Sequence, residues 1–506
     1  MALESFSVDT TVVVTAALCL ATFVLHIARA GDYGYQRDEL YFISCAQHLA
    51  WGYVDQPPLI ALIAKVALAF GRSLYDIRLL PAIAAAATVL VTARLTRRLG
   101  GGLWAQILAM LGIGLAPFYL AVGSLLTMNA FEPLLWIGAT YLFVKASETD
   151  ALPSWAALGV VSGLGLVDKY SMFFFLGSCI LAIALTPERR SLARPGFALA
   201  VGIALAIVAP TLVWQAQHGW PQLEVLRAAA AAKNVVVGPV DFYVQQILMM
   251  NPLAAPIWIA GLASLGLRRG PLRWYAFAYA ILSIVYLALG AKVYYLAPIY
   301  PVLFAAGSTV VERRLQRVRW AEAVYPVFLL LAGLAIAPEA FPLLPLPAFL
   351  QYEHVFDVRG IKMEKHPEGL VPQHFADMLG WDTLVQTLAR ADAALTPAEQ
   401  REAVILTRDY GQASAVDFLG PSLGLPRAIS GHNNYYLYGT RGASGNVVLA
   451  IGFDRALLRT EFGSVERVAF YHDDYVLPDF NNLPVYKCTH PIEPLAAWWP
   501  AVKRYI

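Results

Sequence analysis

The sequence contains few charged residues and no grouped cysteines. Charged residues make up 14% and hydrophobic residues 58% of the 506 residues, whereas soluble proteins average about 25% and about 45–50%. This composition excludes a purely soluble protein. The net charge of +2 gives no sign of a nucleic-acid-binding face, which needs clustered Lys and Arg. The four cysteines lie far apart without a C-x-x-C pair, so neither a zinc site nor a disulfide framework is predicted.

Carboxylates are spread unevenly along the chain. Residues 1–347 hold 17 of the 35 Asp and Glu, and the remaining 159 residues hold 18. Carboxylates are costly in hydrocarbon. We therefore predict a transmembrane domain over residues 1–345, with a first external loop at 31–75, followed by an extracytoplasmic α/β domain over residues 346–506.

Apolar runs predict about eleven transmembrane helices. The first run, 11–27, follows a segment without Lys or Arg and ends in a small-x-small pattern at residues 28–30. The missing positive charge argues against a cleaved signal peptide, and residue 31 emerges externally in either case. The other helices are predicted near 76–93, 103–122, 126–145, 155–168, 170–185, 196–215, 252–267, 273–290, 294–311 and 320–338.

Four arginine clusters orient these helices. They are Arg94/Arg97/Arg98, Arg189/Arg190/Arg194, Arg268/Arg269/Arg273 and Arg313/Arg314/Arg317/Arg319. The positive-inside rule makes all four loops cytoplasmic. Residues 31–75, residues 216–251 and the tail from about 339 then lie on the other side.

The tail begins with a proline-rich linker at 338–347, which prevents the last membrane helix from continuing. Strand-like segments at 403–407, 446–451 and 465–471 alternate with helix-like segments near 412–419 and 454–462. The chain is therefore predicted to be a polytopic α-helical membrane protein with a small C-terminal extracytoplasmic α/β domain.

The first external loop carries the densest group of polar residues. Residues 39–51 suit a helix that lies in the membrane interface. Asp38, at the start of that helix, is either its N-cap or a general base held next to the membrane. Arg37 is either a solvated charge or a phosphate ligand. Asp55, two residues before Pro57-Pro58, is either a turn residue or a fixed carboxylate that binds a divalent metal or positions a sugar.

Other candidates flank the membrane helices on the same side. Asn129 and Glu132 lie one turn apart on one helix face, although an Asn there also suits helix packing. Asp168 and Lys169 lie between two apolar runs. They form either a mutual ion pair over a sharp reversal, or Lys169 is a cation at the level of lipid phosphates.

Two further polar positions have an ordinary interfacial explanation. His218 lies between Trp214 and Trp220 and suits an aromatic belt. Lys292 and Tyr295 open an external helix, where a snorkelling lysine is common. The predicted topology nevertheless puts two acids, two lysines and a histidine on one side, which favours a functional site there.

The motifs RDELY, YVDQPPL, LLTMNAFEPLLW, GLGLVDKYSMFF, WQAQHGWP and AKVYYLAPIYP resemble those of bacterial membrane glycosyltransferases with the GT-C fold. The similar group is the family-39 and aminoarabinose-transferase-like enzymes, which are related to protein O-mannosyltransferases. The resemblance covers roughly residues 30–310, with a weaker echo in the tail at residues 409–412 and 431–435.

The resemblance implies an inverting transferase of the bacterial inner membrane that acts on the cell envelope. Its donor would be a polyprenyl-phosphate sugar, and its acceptor a hydroxyl of a lipid, glycan or protein on the extracytoplasmic face. Asp38 matches the catalytic acid of the first loop, and Asp55 matches an acid that binds metal in some relatives. Asn129 stands where relatives often have Asp, which leaves Glu132 as the second catalytic carboxylate.

The remaining site residues follow from the same resemblance. Gln56 stands where some relatives place a phosphate-binding Lys, so the candidates for the donor phosphate are Lys169, Arg37 and Lys292. The candidate substrate-binding residues are Glu39, Asn129, His218 and Tyr295. The cofactor is unknown, and a divalent metal at Asp55 is the candidate.

The chemistry agrees with this resemblance. A lipid-phosphate leaving group needs cations, and the incoming hydroxyl needs a base. The alternatives are a transporter, which would place ionisable residues near the midplane and often contain inverted repeats, a ligand-binding sensor, and a lipid-linked glycan ligase or polymerase. The polar residues crowd one side and no repeat is evident, which favours sugar transfer.

We expect the loops after residues 94, 189, 268 and 313 to be cytoplasmic and residues 350–506 to be external, because the four arginine clusters agree under one alternating topology. An alkaline-phosphatase fusion at the C-terminus should be active, and a fusion at Leu192 should be inactive. The opposite result for either fusion would contradict the topology.

Overall fold

The computed structural model describes residues 8–267, 270, 272–356 and 364–506. The helices of the membrane part are α1 Val8–Ala28, α2 Arg37–Gln47, α3 Leu59–Phe70, α4 Leu74–Arg98, α5 Leu103–Gly114, α6 Pro117–Gly123, α7 Met128–Thr149, α8 Leu152–Asp168, α9 Ser171–Ala184, α10 Pro195–Gln217, α11 Pro221–Ala228, α12 Pro239–Met249, α13 Ala255–Leu267, α14 Arg273–Ala288, α15 Tyr300–Leu315 and α16 Arg319–Ile336. The tail begins with α17 Leu346–Phe356. The tail contains α18 Gln373–Ala376, α19 Trp381–Ala393, α20 Pro397–Glu402, α21 Tyr410–Leu419, α22 Asn434–Leu437, α23 Arg455–Glu461 and α24 Leu495–Trp498. Its strands are β1 Ala403–Thr407, β2 Ala428–Ser430, β3 Val447–Ile451, β4 Phe462–Tyr471 and β5 Leu483–Pro491.

All eleven predicted apolar runs are helical, but fewer have the length of a straight membrane span. Within the described residues, five helices are long and apolar enough to cross a membrane, or up to eight if each of three bent pairs is one span. Prolines lie at the bends: Pro117 begins α6, and Pro187 begins a 3₁₀ segment after α9. The predicted count of eleven is therefore not confirmed. Arg268 and Arg269, from one predicted cytoplasmic cluster, lie outside the described residues.

The first loop folds into two helices rather than one. The predicted interfacial helix is α2, which ends earlier than expected, and the apolar helix α3 was not predicted. The N-cap of α2 is Gln36, whose side chain accepts from the Asp38 amide at 2.6 Å. The N-cap interpretation of Asp38 is therefore wrong, because the N-cap lies two residues earlier, at Gln36, and Asp38 is inside the first turn.

Glu39 anchors α2 to the membrane helices. Its carboxylate is fully buried and accepts from Arg78 of α4 at 3.0 and 2.8 Å. It also accepts from the backbone amides of Gln36 and Leu126, both at 2.8 Å. A buried carboxylate with this many donors fixes the orientation of the helix that carries it.

The tail forms a mixed five-stranded sheet in the order β2-β1-β3-β5-β4. The strand β1 pairs in parallel with β2 and β3, and β5 pairs antiparallel with β3 and β4. The three predicted strands correspond to β1, β3 and β4. Of the two strands that were missed, β2 has only three residues and β5 alternates polar residues such as Lys487 and Thr489 with buried ones.

The tail shares a hydrophobic core with the first loop. This core joins Leu40 and Ile43 of α2 and Ile60 of α3 to Leu384 of α19 and Ile405 of β1. Because these side chains are buried together, docking of the tail removes apolar surface of both parts from water. The tail is thereby held directly over the polar residues of the first loop.

Two glycines bring α13 and α15 into backbone contact. A Cβ atom on Gly307 would lie 1.8 Å from the carbonyl oxygen of Ile257, and a Cβ on Gly261 would lie 2.0 Å from that of Leu303. Small residues allow such close approach between membrane helices.

We expect Gly307→Ala to destabilise the protein by about 1–3 kcal/mol, because the added methyl group forces the two backbones apart. Thermal unfolding in detergent measures this. Gly202→Ala in α10 is the matched control, since nothing lies within 4 Å of its Cβ position. Equal melting temperatures for the two variants would contradict the close contact.

Candidate active site

A buried ion pair joins the first loop to the tail. Arg37 donates from Nε to Oδ1 of Asp409 at 3.2 Å and from Nη2 to Oδ2 at 2.6 Å. Both side chains are more than nine-tenths buried. The guanidinium also lies over the rings of Tyr410 and Phe480, at 4.5 and 4.8 Å. Two of the three guanidinium nitrogens of Arg37, a predicted phosphate ligand, are thus engaged by Asp409.

The electrostatics of this pair favour its charged form. Burial alone would raise the pKa of Asp409, but Arg37 and the hydrogen bond with His432 hold it well below its usual value. A carboxylate whose pKa is depressed on folding contributes stability above its unfolded pKa of about 3.9 and loses it as the pH falls. The pair therefore stabilises the protein throughout the neutral range.

Asp38 lies beside this pair and faces a tail tyrosine. The hydroxyl of Tyr410 donates to Oδ1 of Asp38 at 2.7 Å. The Asp38 residue is partly exposed, unlike its neighbours Arg37 and Glu39. One oxygen is therefore held by the tail, and the carboxylate keeps access to solvent.

Asp55 is held in a similar way by two donors. The hydroxyl of Tyr41 donates to Oδ1 at 2.7 Å, and the amide of Asn433 donates to Oδ2 at 2.9 Å. Burial, with a smaller effect from the nearby Asp38 charge, raises the pKa of Asp55 to about 6 against the hydrogen bonds that lower it. The rings of Tyr41 and Tyr410 lie 4.5 Å apart, so the two carboxylates are connected through two packed tyrosines.

Lys169 forms the first of two cationic positions among the predicted site residues. It donates to Asn129 Oδ1 at 2.6 Å and pairs with Glu132 at 3.0 Å. Its ammonium lies 4.5 Å from the ring centroid of Tyr295. The structure thus brings these four predicted site residues together.

Of the two alternatives for Asp168 and Lys169, the mutual ion pair does not form, because Lys169 pairs with Glu132 on α7. Asp168 is 99% buried, and within the described part of the chain neither of its carboxylate oxygens has a hydrogen-bond partner. The reversal between α8 and α9 is therefore not covered by a mutual pair.

Lys292 forms the second cationic position, immediately before the 3₁₀ segment Val293–Ile299 that carries Tyr295. It pairs with Glu364, which also contacts Lys233 and His366, each at 3.3 Å. Burial would lower the pKa of Lys292, but Glu364 and, more weakly, Tyr295 and Asp38 raise it. Lys292 is therefore a buried cation within electrostatic reach of Asp38.

Two predicted substrate residues lie in settings that favour other roles. Glu39 is buried against Arg78, as described above. His218 is exposed, stacks on Trp214 with ring centroids 4.0 Å apart, and contacts the Trp214 carbonyl oxygen through Nδ1 at 2.8 Å. These contacts suit an interfacial histidine.

The donors around Asp55 do not fit a metal site. Among the described residues, no group of three or more His, Cys, Asp or Glu side chains is arranged to hold a metal ion. Both oxygens of Asp55 accept from neutral donors, Tyr41 and Asn433. A divalent cation needs several oxygen or nitrogen ligands, which this arrangement does not supply.

Four residues of the site were not proposed from the sequence: Tyr41, Asp409, Tyr410 and Asn433. The tail segments 409–412 and 431–435 had been noted only as weak motifs. Arg37 and Asp409 are 372 residues apart, and their contact depends on how the tail docks. An acid and a tyrosine just after a buried strand were the only available signal.

Comparison with known proteins identifies the fold that carries this site. Residues 55–214 match the sequence model of a family described as dolichyl-phosphate-mannose-protein mannosyltransferase. The apo structure of ArnT from Cupriavidus metallidurans superposes with a TM-score of 0.62 at 14% identity, covering 94% of this chain and 97% of that one. The chain has the GT-C fold. The same ArnT bound to undecaprenyl phosphate gives a TM-score of 0.61 at 14% identity, over 95% and 98% of the two chains.

The fold agrees with the GT-C fold that the sequence resemblance implied, and the family model matches part of the residues that carry the resemblance. The polytopic membrane fold and the small C-terminal sheet are part of this architecture. No curated sequence matches the chain significantly.

We expect Arg37→Leu to destabilise this GT-C protein by about 3–5 kcal/mol, because it leaves Asp409 buried without its charge partner. The double variant Arg37→Leu/Asp409→Leu should recover much of that loss, since no unpaired charge remains. Lys503→Met, which breaks the exposed pair with Glu224, is the control and should cost less than about 1 kcal/mol. Thermal unfolding at pH 7 compares the variants, and an unchanged melting temperature for Arg37→Leu would contradict the role of the pair.

Proposed function

We propose that the chain is a membrane glycosyltransferase that moves a sugar from a polyprenyl-phosphate donor to a hydroxyl acceptor on the extracytoplasmic face. The observation that carries this proposal is a partly exposed carboxylate, Asp38, within electrostatic reach of the cation Lys292. The second cation, Lys169, packs on the ring of Tyr295, three residues after Lys292. A base and cations are the two groups that such a transfer requires.

Asp38 is the general base. As the acceptor oxygen attacks the anomeric carbon, its proton passes to the Asp38 carboxylate, and the bond between that carbon and the phosphate oxygen breaks. The electron pair leaves with the lipid phosphate, which already carries negative charge and needs no strong acid. Attack and departure on opposite faces of the sugar give inversion.

Lys169 and Lys292 receive the donor phosphate. The side chains of Lys169 and Lys292 are mostly buried. A cation that is largely withdrawn from water interacts more strongly with a phosphate than a fully solvated one. Glu132 and Asn129 orient Lys169, and Tyr295 covers it. Arg37 is bound by Asp409 on two sides, so the phosphate role falls to the two lysines.

Asp55 assists on the acceptor side. Its pKa of about 6, raised mainly by burial, keeps it largely ionised at neutral pH, where it accepts a hydrogen bond from an acceptor hydroxyl. Asp55 accepts hydrogen bonds from Tyr41 and Asn433, whereas Asp38 accepts one from Tyr410, so the two carboxylates have different environments. Carboxylates in different environments commonly take different roles.

The comparisons support the class of donor. The structure with TM-score 0.61 belongs to a protein that binds undecaprenyl phosphate, and the matching family is described by its dolichyl-phosphate-mannose substrate. Both are polyprenyl phosphates. We infer that the chain lies in the inner membrane of a bacterium, with the tail and the site outside the cytoplasm, and the likeness to a bacterial protein supports this inference.

We expect Asp38→Asn to lower the rate of sugar transfer by about 10² to 10⁴ while the protein remains folded. Asparagine cannot accept the proton, and a general base contributes a factor of that size. Its side-chain oxygen can still accept from Tyr410, so stability should change little. Initial rates at saturating polyprenyl-phosphate sugar measure the effect, with the products identified by mass spectrometry.

Asp454→Asn is the matched control, because Asp454 is an exposed N-cap in the tail and Asn caps about as well as Asp. Its rate should stay within about twofold of the wild type. A near-normal rate for Asp38→Asn with loss of activity in Asp55→Asn would transfer the base role to Asp55. Normal rates in both variants would disprove the mechanism.

A further inference from the structure

We propose that Tyr410 and Asn433 of the tail are positioning residues for Asp38 and Asp55, which makes the tail a working part of the transfer site. This inference rests on the proposed function. It assigns each acid a partner from the C-terminal region, far away in sequence: the Tyr410 hydroxyl for Asp38 and the Asn433 amide for Asp55.

Two pairs of adjacent residues meet in register where the first loop contacts the tail. Arg37 and Asp38 follow one another on α2, and Asp409 and Tyr410 follow one another at the start of α21. The ion pair joins the first member of each pair, and the hydrogen bond joins the second. The buried ion pair therefore fixes the distance at which the Tyr410 hydroxyl meets Asp38.

The Tyr410 ring has little freedom to change its orientation. It lies between Tyr41 and Arg37, each 4.5 Å away, and 4.8 Å from the His432 ring. A hydroxyl on a ring held in this way donates from a fixed point. With Oδ1 of Asp38 engaged, the second oxygen faces in a defined direction, and a base held in its reactive orientation avoids an entropic cost during reaction.

The orientation of the Asn433 side-chain amide is set by its hydrogen bonds. Its Oδ1 accepts from the backbone amide of Ile506 at 3.0 Å, which leaves Nδ2 as the group that faces Asp55. Asn433 also adopts a positive φ of 46°, an uncommon conformation for a residue other than glycine. Backbone strain of this kind often occurs at functional sites.

A close approach of the chain supports this arrangement. A Cβ atom on Gly431 would lie 1.8 Å from the carbonyl oxygen of Val502, so the glycine allows the last segment of the chain to pass directly beside the loop. The backbone N–H of Asn433 in turn donates to the carbonyl oxygen of Arg504 at 2.9 Å. The loop that carries Asn433 is therefore held by residues 502–506.

The test compares Tyr410→Phe with Tyr435→Phe. Tyr410→Phe keeps the packed ring and removes only the hydroxyl that holds Asp38. Tyr435 is another buried tail tyrosine, and its hydroxyl donates to Asp417 of the tail at 3.0 Å. We expect kcat to fall about 10-fold to 100-fold in Tyr410→Phe with the donor KM within about twofold, since loss of orientation affects the reaction rather than donor binding. Tyr435→Phe should keep its kcat.

Asn433→Gly provides an independent second variant. Glycine adopts a positive φ without strain, so this change removes the amide from Asp55 while the backbone conformation remains favourable. We again expect a lower kcat with little change in donor KM. This variant decides the question if Tyr410→Phe does not accumulate in the membrane.

Rates are expressed per folded molecule, with the folded fraction measured by thermal unfolding. An unchanged kcat in stable Tyr410→Phe and Asn433→Gly proteins would overturn the positioning role. So would a loss of activity in Tyr410→Phe and Asn433→Gly that the folded fraction accounts for fully, because that is a structural effect. The proposed function is tested separately: it fails if Asp38→Asn and Asp55→Asn are both active, whatever the tail variants do.

Discussion

The ion pair between Arg37 and Asp409 is the constraint on which the arrangement of the site depends. Both side chains are withdrawn from water, so each charge requires the other, and removal of either leaves a costly buried charge. The pair joins α2, which carries Asp38, to the first turn of α21, which carries Tyr410. A tail that docked one residue out of register would lose both the ion pair and the hydrogen bond to Asp38.

Separate structural elements supply the two kinds of charge that the proposed sugar transfer requires. The acids Asp38 and Asp55 come from the first loop and are held by the tail, whereas Lys169 follows a membrane helix and is held by Glu132 of the neighbouring helix. Lys292 is held by Glu364. Each charged group of the site thus has its own support, which keeps it oriented before a substrate arrives.

Much of the local structure could be predicted from the sequence, and the contacts of the site could not. The apolar runs gave the helices, because a long hydrophobic segment has few other stable forms in a membrane. The runs did not show that several helices are interrupted by bends at prolines. A bent span and two separate helices have nearly the same composition, so hydrophobicity alone does not distinguish them. Lys169 was recognised as a cation near the site, but its partner is Glu132 and not the adjacent Asp168. The choice between these acids depends on helix packing.

The sequence by itself determined the polytopic membrane architecture, the alternation of strands and helices in the tail, and the small set of polar residues from which a site can be built. These features follow from periodicity and from the cost of placing charge in hydrocarbon. Only the tertiary structure decided that Asp38 meets Tyr410 and that Asp55 meets Asn433, because these partners lie more than 370 residues apart. Such pairings depend on the shape of the shared core, which no local pattern encodes.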